Sequence, residues 1–323
     1  MLNSTLYILN SGFGDMLKQI NIFFHLSDVY SFNPKVFIRQ NNKRNTLKSH
    51  IFFDEIGFSS IIGPRPQTCV EEAASLSEIS AEITEAYKFD ASSYNNPGLE
   101  ELVGGRDREI HPKLRALATQ SNLCAEIVKR RDTTNRIALH VRRGDVAQIN
   151  GDDFPSVFDI PAVAGRILHC RGLFHKETLC DELSYGNRRR FADTSTHLDT
   201  LNRLKEREGV DSHVLVSDGF TKISRQLVGM HPKLLLDSTL SVEALEAALV
   251  NELRPLMVGA SQTVIGESNS TFYDTIFTAL ACRVVISQSA GFLMELSKLF
   301  ELDIEFVTPE LRPVLDPLSV DPD

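Results

Sequence analysis

Tryptophan is absent from this chain of 323 residues, and no uninterrupted apolar run approaches the roughly 18 residues that would span a bilayer. Positive charge is in deficit, with 34 Lys+Arg against 43 Asp+Glu and a net charge of −9. That balance argues against non-specific nucleic-acid binding, which needs a basic field, though it permits a local basic pocket. The five cysteines are odd in number and form no C-x-x-C pair, which predicts reduced thiols and a cytoplasmic setting. The opening M-L-N-S-T-L-Y-I-L-N has neither a basic n-region nor a cleavable apolar core, so no signal peptide is expected. The sequons at Asn3 and Asn269 carry no meaning in that setting. No internal repeat is present. What remains is the composition of a soluble globular protein, 42% hydrophobic and 24% charged, long enough for two domains with a core each.

The most informative stretch is R-I-A-L-H-V-R-R-G-D-V, residues 136–146. Ile137, Ala138, Leu139 and Val141 compose a strand of the kind buried in a parallel sheet. It ends in His140, Arg142, Arg143, Gly144 and Asp145. A buried strand that delivers an imidazole and two guanidiniums to its carboxyl end is costly unless an anion meets them. Ligands of open α/β sheets bind beyond that end, and arginine forks onto phosphate oxygens. The stretch therefore predicts a phosphate-bearing ligand held by Arg142 or Arg143. Asp145 has a second reading, as the partner of one of these arginines or the cap of the next turn. Arg143-Gly144-Asp145 also spells an adhesion tripeptide, but such signals work on exposed loops rather than at the end of a buried strand.

Taken in order, residues 6–9 read as a first strand, followed by the loop Asn10-Ser11-Gly12-Phe13-Gly14-Asp15. Phe13, Met16, Leu17, Ile20, Phe23, Phe24 and Leu26 then recur at helical spacing. A strand, a G-x-G loop and a helix can bring backbone N–H groups to an anion or sugar. A tight turn explains Gly12 and Gly14 equally well, and Asp15 is placed to cap the helix. Residues 36–38 read as a strand, 51–62 as short apolar groups around Gly57, 71–87 as an acidic surface helix and 111–131 as one helix. A domain boundary is expected at 132–135. Residues 151–190 are irregular. Their His169, Cys170, His175 and Cys180 are potential zinc ligands at a spacing that fits no familiar closed site, so this excursion is expected to shape a cleft rather than hold metal.

Beyond it lie a helix at 198–208, strands at 213–216 and 234–236, and a helix at 242–256. A strand at 263–265, a hydroxyl-rich loop at 267–271 and a helix at 272–280 follow, then a strand at 283–286 and a helix at 292–300. This alternation predicts a parallel, doubly wound sheet. Ser217-Asp218-Gly219, Asp237-Ser238 and Ser268–Thr271 are polar clusters that follow strand after strand at one edge. The Ser268–Thr271 loop at a helix N-terminus would be a second anion site, and two anion sites imply a diphosphate.

These residues resemble the fucosyltransferase superfamily that includes the α1,2-, α1,6- and protein O-fucosyltransferases. His140-Val141-Arg142-Arg143-Gly144-Asp145 is similar to its H-x-R-R-x-D signature. Residues 11–17, S-G-F-G-D-M-L, resemble the G-G-L-G-N-Q-[ML] opening of the bacterial α1,2 enzymes. Val216-Ser217-Asp218 resembles their F-S-D-D, and Asn269-Ser270-Thr271-Phe272 their N-S-T-F-S-W-W. Asp15 stands where that family has Asn, and Tyr273-Asp274 where it has Ser-Trp.

The resemblance implies a GT-B architecture, two Rossmann-like domains facing across a cleft, with residues 1–132 on the acceptor side and 133–323 binding the nucleotide sugar. It implies inverting transfer of L-fucose from GDP-β-L-fucose to a glycan hydroxyl, with no metal and no cofactor beyond that donor. Arg142 would grip the β-phosphate, His140 would lie beside the donor, and Ser268, Asn269, Ser270 and Thr271 would hold phosphate. Asp218 or Asp237 would accept from the guanine N1–H and N2–H2. Gly12 and Gly14 would approach the nucleotide sugar. Asp145, Asp152 and Asp153 are candidates for the base that activates the acceptor. Two alternatives stand beside this: a GT-B enzyme using another nucleotide sugar, and a non-catalytic nucleotide- or glycan-binding protein. The expected partners are a nucleotide sugar and a glycan acceptor, with no nucleic acid. Peripheral contact with a membrane surface is left open.

Overall fold

The computed structural model describes residues 3–8, 13–38, 49–63, 86–89, 109–131, 136–143, 194–221, 224–225, 228, 241–266, 268–288 and 291–309. The chain divides into two compact units. One comprises Met1–Asp132 with Gly291–Asp303, and the other Thr133–Ala290 with Ile304–Asp323.

The first unit is built on a three-stranded parallel sheet in the order β2-β1-β3. Strand β1 is Asn3–Ile8 and helix α1 is Phe13–Tyr30. Strand β2 (Asn33–Ile38), helix α2 (Ser49–Glu55) and strand β3 (Ala86–Phe89) follow. The apolar residues at helical spacing on α1, from Phe13 to Leu26, are all buried. Each contributes roughly 1.5–3 kcal/mol of transfer free energy, which is why an 18-residue helix forms there. Phe13, Phe52 of α2 and Phe292 form a cluster with ring centroids 4.5 to 5.9 Å apart. β3 corrects the sequence reading of 71–87 as helix. Ala86 and Tyr87 pair in parallel with Thr5 and Leu6, and that pairing overrides local propensity. The rest of that segment lies outside the described residues.

The stretch from His111 to Arg131 is two helices rather than one, α3 (Pro112–Thr119) and α4 (Asn122–Arg131). The break falls at Ser121, whose Oγ accepts from Cys124 N at 3.2 Å and so starts a new helix.

The second unit holds a five-stranded, wholly parallel sheet. Its elements are β4 (Ile137–Val141), α5 (Thr194–Glu208), β5 (His213–Ser217) and α6 (Val242–Val250). A 3-10 turn (Asn251–Leu253), α7 (Arg254–Met257), β6 (Ala260–Ile265) and α8 (Asn269–Leu280) come next. β7 (Val284–Ser287) precedes α9 (Gly291–Leu299), which belongs to the first unit, and the chain returns for β8 (Glu305–Val307).

The predicted helix 242–256 is broken because Pro255 at the start of α7 has no N–H to continue the ladder. The helix expected at 272–280 begins earlier, at Asn269, and β8 was not foreseen. Numbered within the unit, the strand order β6-β5-β4-β7-β8 is 3-2-1-4-5, the order of dinucleotide-binding sheets. Ile137, Leu139 and Val141 pack with Leu215, Val284, Ile286 and leucines of α5, α6 and α7 in one core. By the two-residue period of a strand, His140 and Ser287 lie on the opposite face.

Candidate functional site

In a 3-2-1-4-5 sheet the strand order reverses between strands 1 and 4, and ligands bind in the crevice beyond their carboxyl ends. Here those strands are β4 and β7, and His140 and Ser287 are register partners there. The His140 ring Nδ1 lies 2.8 Å from Ser287 Oγ. The hydroxyl is buried and the imidazole only partly so.

The two arginines that follow β4 have different surroundings. Arg143 is fully buried, and its Nε and Nη2 donate to Glu252 Oε2 and Oε1 at 3.1 and 3.0 Å. Its Nη1 donates to the carbonyl of Arg142 at 3.0 Å, and Thr194 Oγ1 donates to the same Glu252 carboxylate. A buried guanidinium needs such a bidentate partner. The charge of Arg143 is therefore cancelled on the spot by Glu252. Arg142, one residue earlier, is partly exposed at the sheet edge.

Asp218, at the end of β5, accepts from the backbone N–H of Arg143 through Oδ1 at 2.6 Å. Ser217 Oγ donates to Val141 O at 2.6 Å and accepts from Gly219 N at 3.1 Å. The turn carrying Arg142 is thus braced by Asp218 from the neighbouring strand end and by the Arg143–Glu252 pair from beneath.

Gly266 N donates to Ser217 O at 3.0 Å, so the chain leaving β6 starts from the same edge. Ser268 is the N-cap of α8, its Oγ accepting from Thr271 N at 3.2 Å. The hydroxyls of Ser270 and Thr271 lie 2.9 and 3.0 Å from that oxygen. The reading of 267–271 as a loop is corrected here: Asn269, Ser270 and Thr271 form the first helical turn. Hydroxyl residues signal loops and helix caps alike.

Gly14 is also in a helix rather than a loop, in the first turn of α1. A Cβ there would stand 3.1 Å from Phe292 Cα, so a close backbone approach requires glycine. Asp15 is exposed in the same turn, where its charge suits the positive end of the helix. Gly12, Asp145, Asp152, Asp153 and Asp237 lie outside the described residues, as does the His169–Cys180 group.

Of the predicted residues, His140, Arg142 and Asp218 therefore meet at one edge of one sheet, which also gives rise to the Ser268–Thr271 turn. Glu252, Thr194 and Ser287 were not singled out from the sequence. Ser287 carried a readable signal, since S-Q-S-A after β7 is one more polar cluster at a strand's carboxyl end. Glu252 carried none, lying in what reads as the middle of a helix.

No family model matches the sequence, and no curated protein matches it. Among solved structures, POFUT1 in complex with GDP-fucose aligns over 97% of this chain and 99% of its own, at 8% identity and a TM-score of 0.41. POFUT1 in complex with GDP aligns over 96% and 99%, at 9% identity and a TM-score of 0.38. Superpositions this loose fix neither fold nor function. No helix among the described residues is long and apolar enough to cross a membrane.

Proposed function

We propose that the protein is an inverting glycosyltransferase that moves L-fucose from GDP-β-L-fucose to a hydroxyl of a glycan acceptor. In this reading residues 133–323, apart from the Gly291–Asp303 segment that packs in the first unit, form the nucleotide-sugar domain of a GT-B enzyme, and residues 1–132 are its acceptor side. The observation that carries it is the division between two adjacent arginines. Arg143 is neutralised by Glu252 inside the unit, and Arg142 is presented at the edge where sheets of this order bind nucleotides.

The mechanism follows from where charge develops. As the glycosyl bond breaks, negative charge builds on the departing diphosphate. Arg142 and the N-terminal turn of α8 stabilise that charge most in the transition state, and stabilisation there raises the rate. Two such groups take the part a divalent cation would otherwise play, so transfer proceeds without metal. Asp218 holds the turn in place through Arg143 N–H and, with Asp237, is a candidate reader of the guanine edge. His140, fixed by Ser287, lies beside the sugar. Asp145 is the leading candidate base.

Calorimetric titration of GDP and UDP into the metal-free wild type and Arg142→Ala tests this. GDP should bind well, UDP weakly, and the variant should lose roughly 10- to 100-fold in GDP affinity, the range for hydrogen bonds to a charged group. GDP binding that is equal in the variant, or absent from the wild type, overturns the donor site. GDP binding with no release of fucose to water or to an acceptor screen would leave a nucleotide-binding protein without transfer.

A further inference from the structure

In the first unit, α1 turns one polar stripe toward the start of α3. Asn21, His25 and Asp28 recur at i, i+4 and i+7, a single helical face. Asn21 Oδ1 accepts from His111 N at 2.7 Å, and its Nδ2 donates to Glu109 O at 3.3 Å. His25 Nε2 donates to the same carbonyl at 3.1 Å. His111 Nε2 donates to Asp28 Oδ2 at 2.9 Å, and the rings of His25 and His111 stand 5.0 Å apart. One ligand atom from each of His25, Asp28 and His111 falls within 4.8 Å of the others.

We propose that His25, Asp28 and His111 form a site for one divalent transition-metal ion of the zinc class. Two imidazoles and one carboxylate are a donor set that zinc and its first-row neighbours take in three-ligand sites, whereas magnesium and calcium take oxygens. With Nε2–H of His25 on Glu109 O, Nδ1 carries the lone pair, and a metal-bound histidine ordinarily donates its other nitrogen to a backbone carbonyl in this way. Asp28 and His111 already stand at 2.9 Å, near the roughly 3.3 Å separation of two ligands on a tetrahedral ion with bonds of about 2.0–2.1 Å. His25 has to close by up to about 1.5 Å, from the 4.8 Å outer limit of the cluster to that separation. Both histidines are buried, and the Asp28 side chain is 70% exposed, which gives the ion its way in and water the fourth position.

Capture changes one tautomer. His111 Nδ1 now accepts from Lys113 N at 3.2 Å, so the proton sits on Nε2. A metal on Nε2 moves that proton to Nδ1 and breaks this long capping bond. None of the three residues belongs to the proposed donor site, so the proposal stands or falls apart from it.

The test uses full-length protein stripped with EDTA, titrated with Zn2+ by calorimetry and with Co2+ by visible absorption, alongside His25→Gln and Asp28→Asn. One ion per chain is expected, with each variant at least about tenfold weaker, since even outer-shell changes cost 10- to 100-fold. Asp28→Asn changes an exposed residue and keeps an acceptor for His111, so it should fold. No Zn2+ binding to wild type overturns the proposal. So does binding unchanged in both variants, which would place the ion elsewhere, or Mg2+ binding as tightly as Zn2+. In each of those cases the three side chains serve only to anchor α3 on α1.

Discussion

Arg143 and Glu252 meet fork on fork, 109 residues apart in sequence and almost wholly removed from solvent. Removing one partner strands a buried charge. Glu252→Ala should therefore cost about 3–5 kcal/mol, whereas Arg143→Met combined with Glu252→Leu should lie much closer to the wild type. Arg142→Ala, at the partly exposed neighbour, should cost far less than Glu252→Ala, about 1 kcal/mol or below. Urea denaturation of the four proteins checks this. Equal losses for Arg142→Ala and Glu252→Ala would remove the division of labour on which the functional reading rests.

That division was not legible in the sequence. Two consecutive arginines after a buried strand announce charge at a sheet edge, but nothing local tells which one turns inward. The deciding residue, Glu252, sits in a stretch patterned as continuous helix, and Pro255 and the 3-10 turn that aim it are visible only in the fold. What could be read was local and periodic. The apolar face of α1, the buried runs of β4 and β5, and the polar residues closing strand after strand all follow from neighbours in sequence. Pairings across long separations could not be read: Ala86–Phe89 joining β1, the three-residue β8, or Asp28 meeting His111.

The His140–Ser287 contact makes a separate prediction. Ser287→Ala removes a buried hydroxyl with no loss of bulk and should cost about 1 kcal/mol. If the imidazole acts beside the sugar, loss of this one bond to its ring should leave GDP affinity within a fewfold of wild type. Release of GDP from GDP-fucose should meanwhile fall between about tenfold and a hundredfold, the scale of a misplaced catalytic group. Loss of GDP affinity and turnover in equal measure would instead mean that the pair merely shapes the nucleotide pocket.

Gly57 has φ +86° after α2, and a Cβ there would lie 2.5 Å from Leu117 O. Neither the left-handed backbone nor a main-chain carbonyl can give way cheaply. Gly57→Ala should destabilise the protein by about 1–3 kcal/mol. Calorimetric titration should show GDP affinity preserved wherever the variant remains folded, because the residues proposed to grip the nucleotide phosphates, Arg142 and Ser268–Thr271, all follow residue 133. A GDP affinity that falls with Gly57→Ala would contradict that assignment.

His213 sits at the start of β5, 1% exposed, with Nε2 donating to Leu256 O at 2.8 Å. Nδ1 has no hydrogen-bond partner among the described residues. Burial, the largest influence, lowers its pKa below the usual value near 6.5; the bond to Leu256 opposes this, and the charge of Lys205 adds to it. The sign follows from proton counting. Below about pH 6.5 the unfolded chain binds a proton that the folded chain refuses, so acid favours unfolding and the stability present above that pH is lost as pH falls toward the folded value. Melting temperatures from roughly pH 7.5 to 5.5 should therefore decline in the wild type. His213→Gln keeps a donor for Leu256 and removes the titration, so it should be less stable at the upper end and lose less on acidification. Parallel declines in the two proteins would assign the acid sensitivity to other histidines.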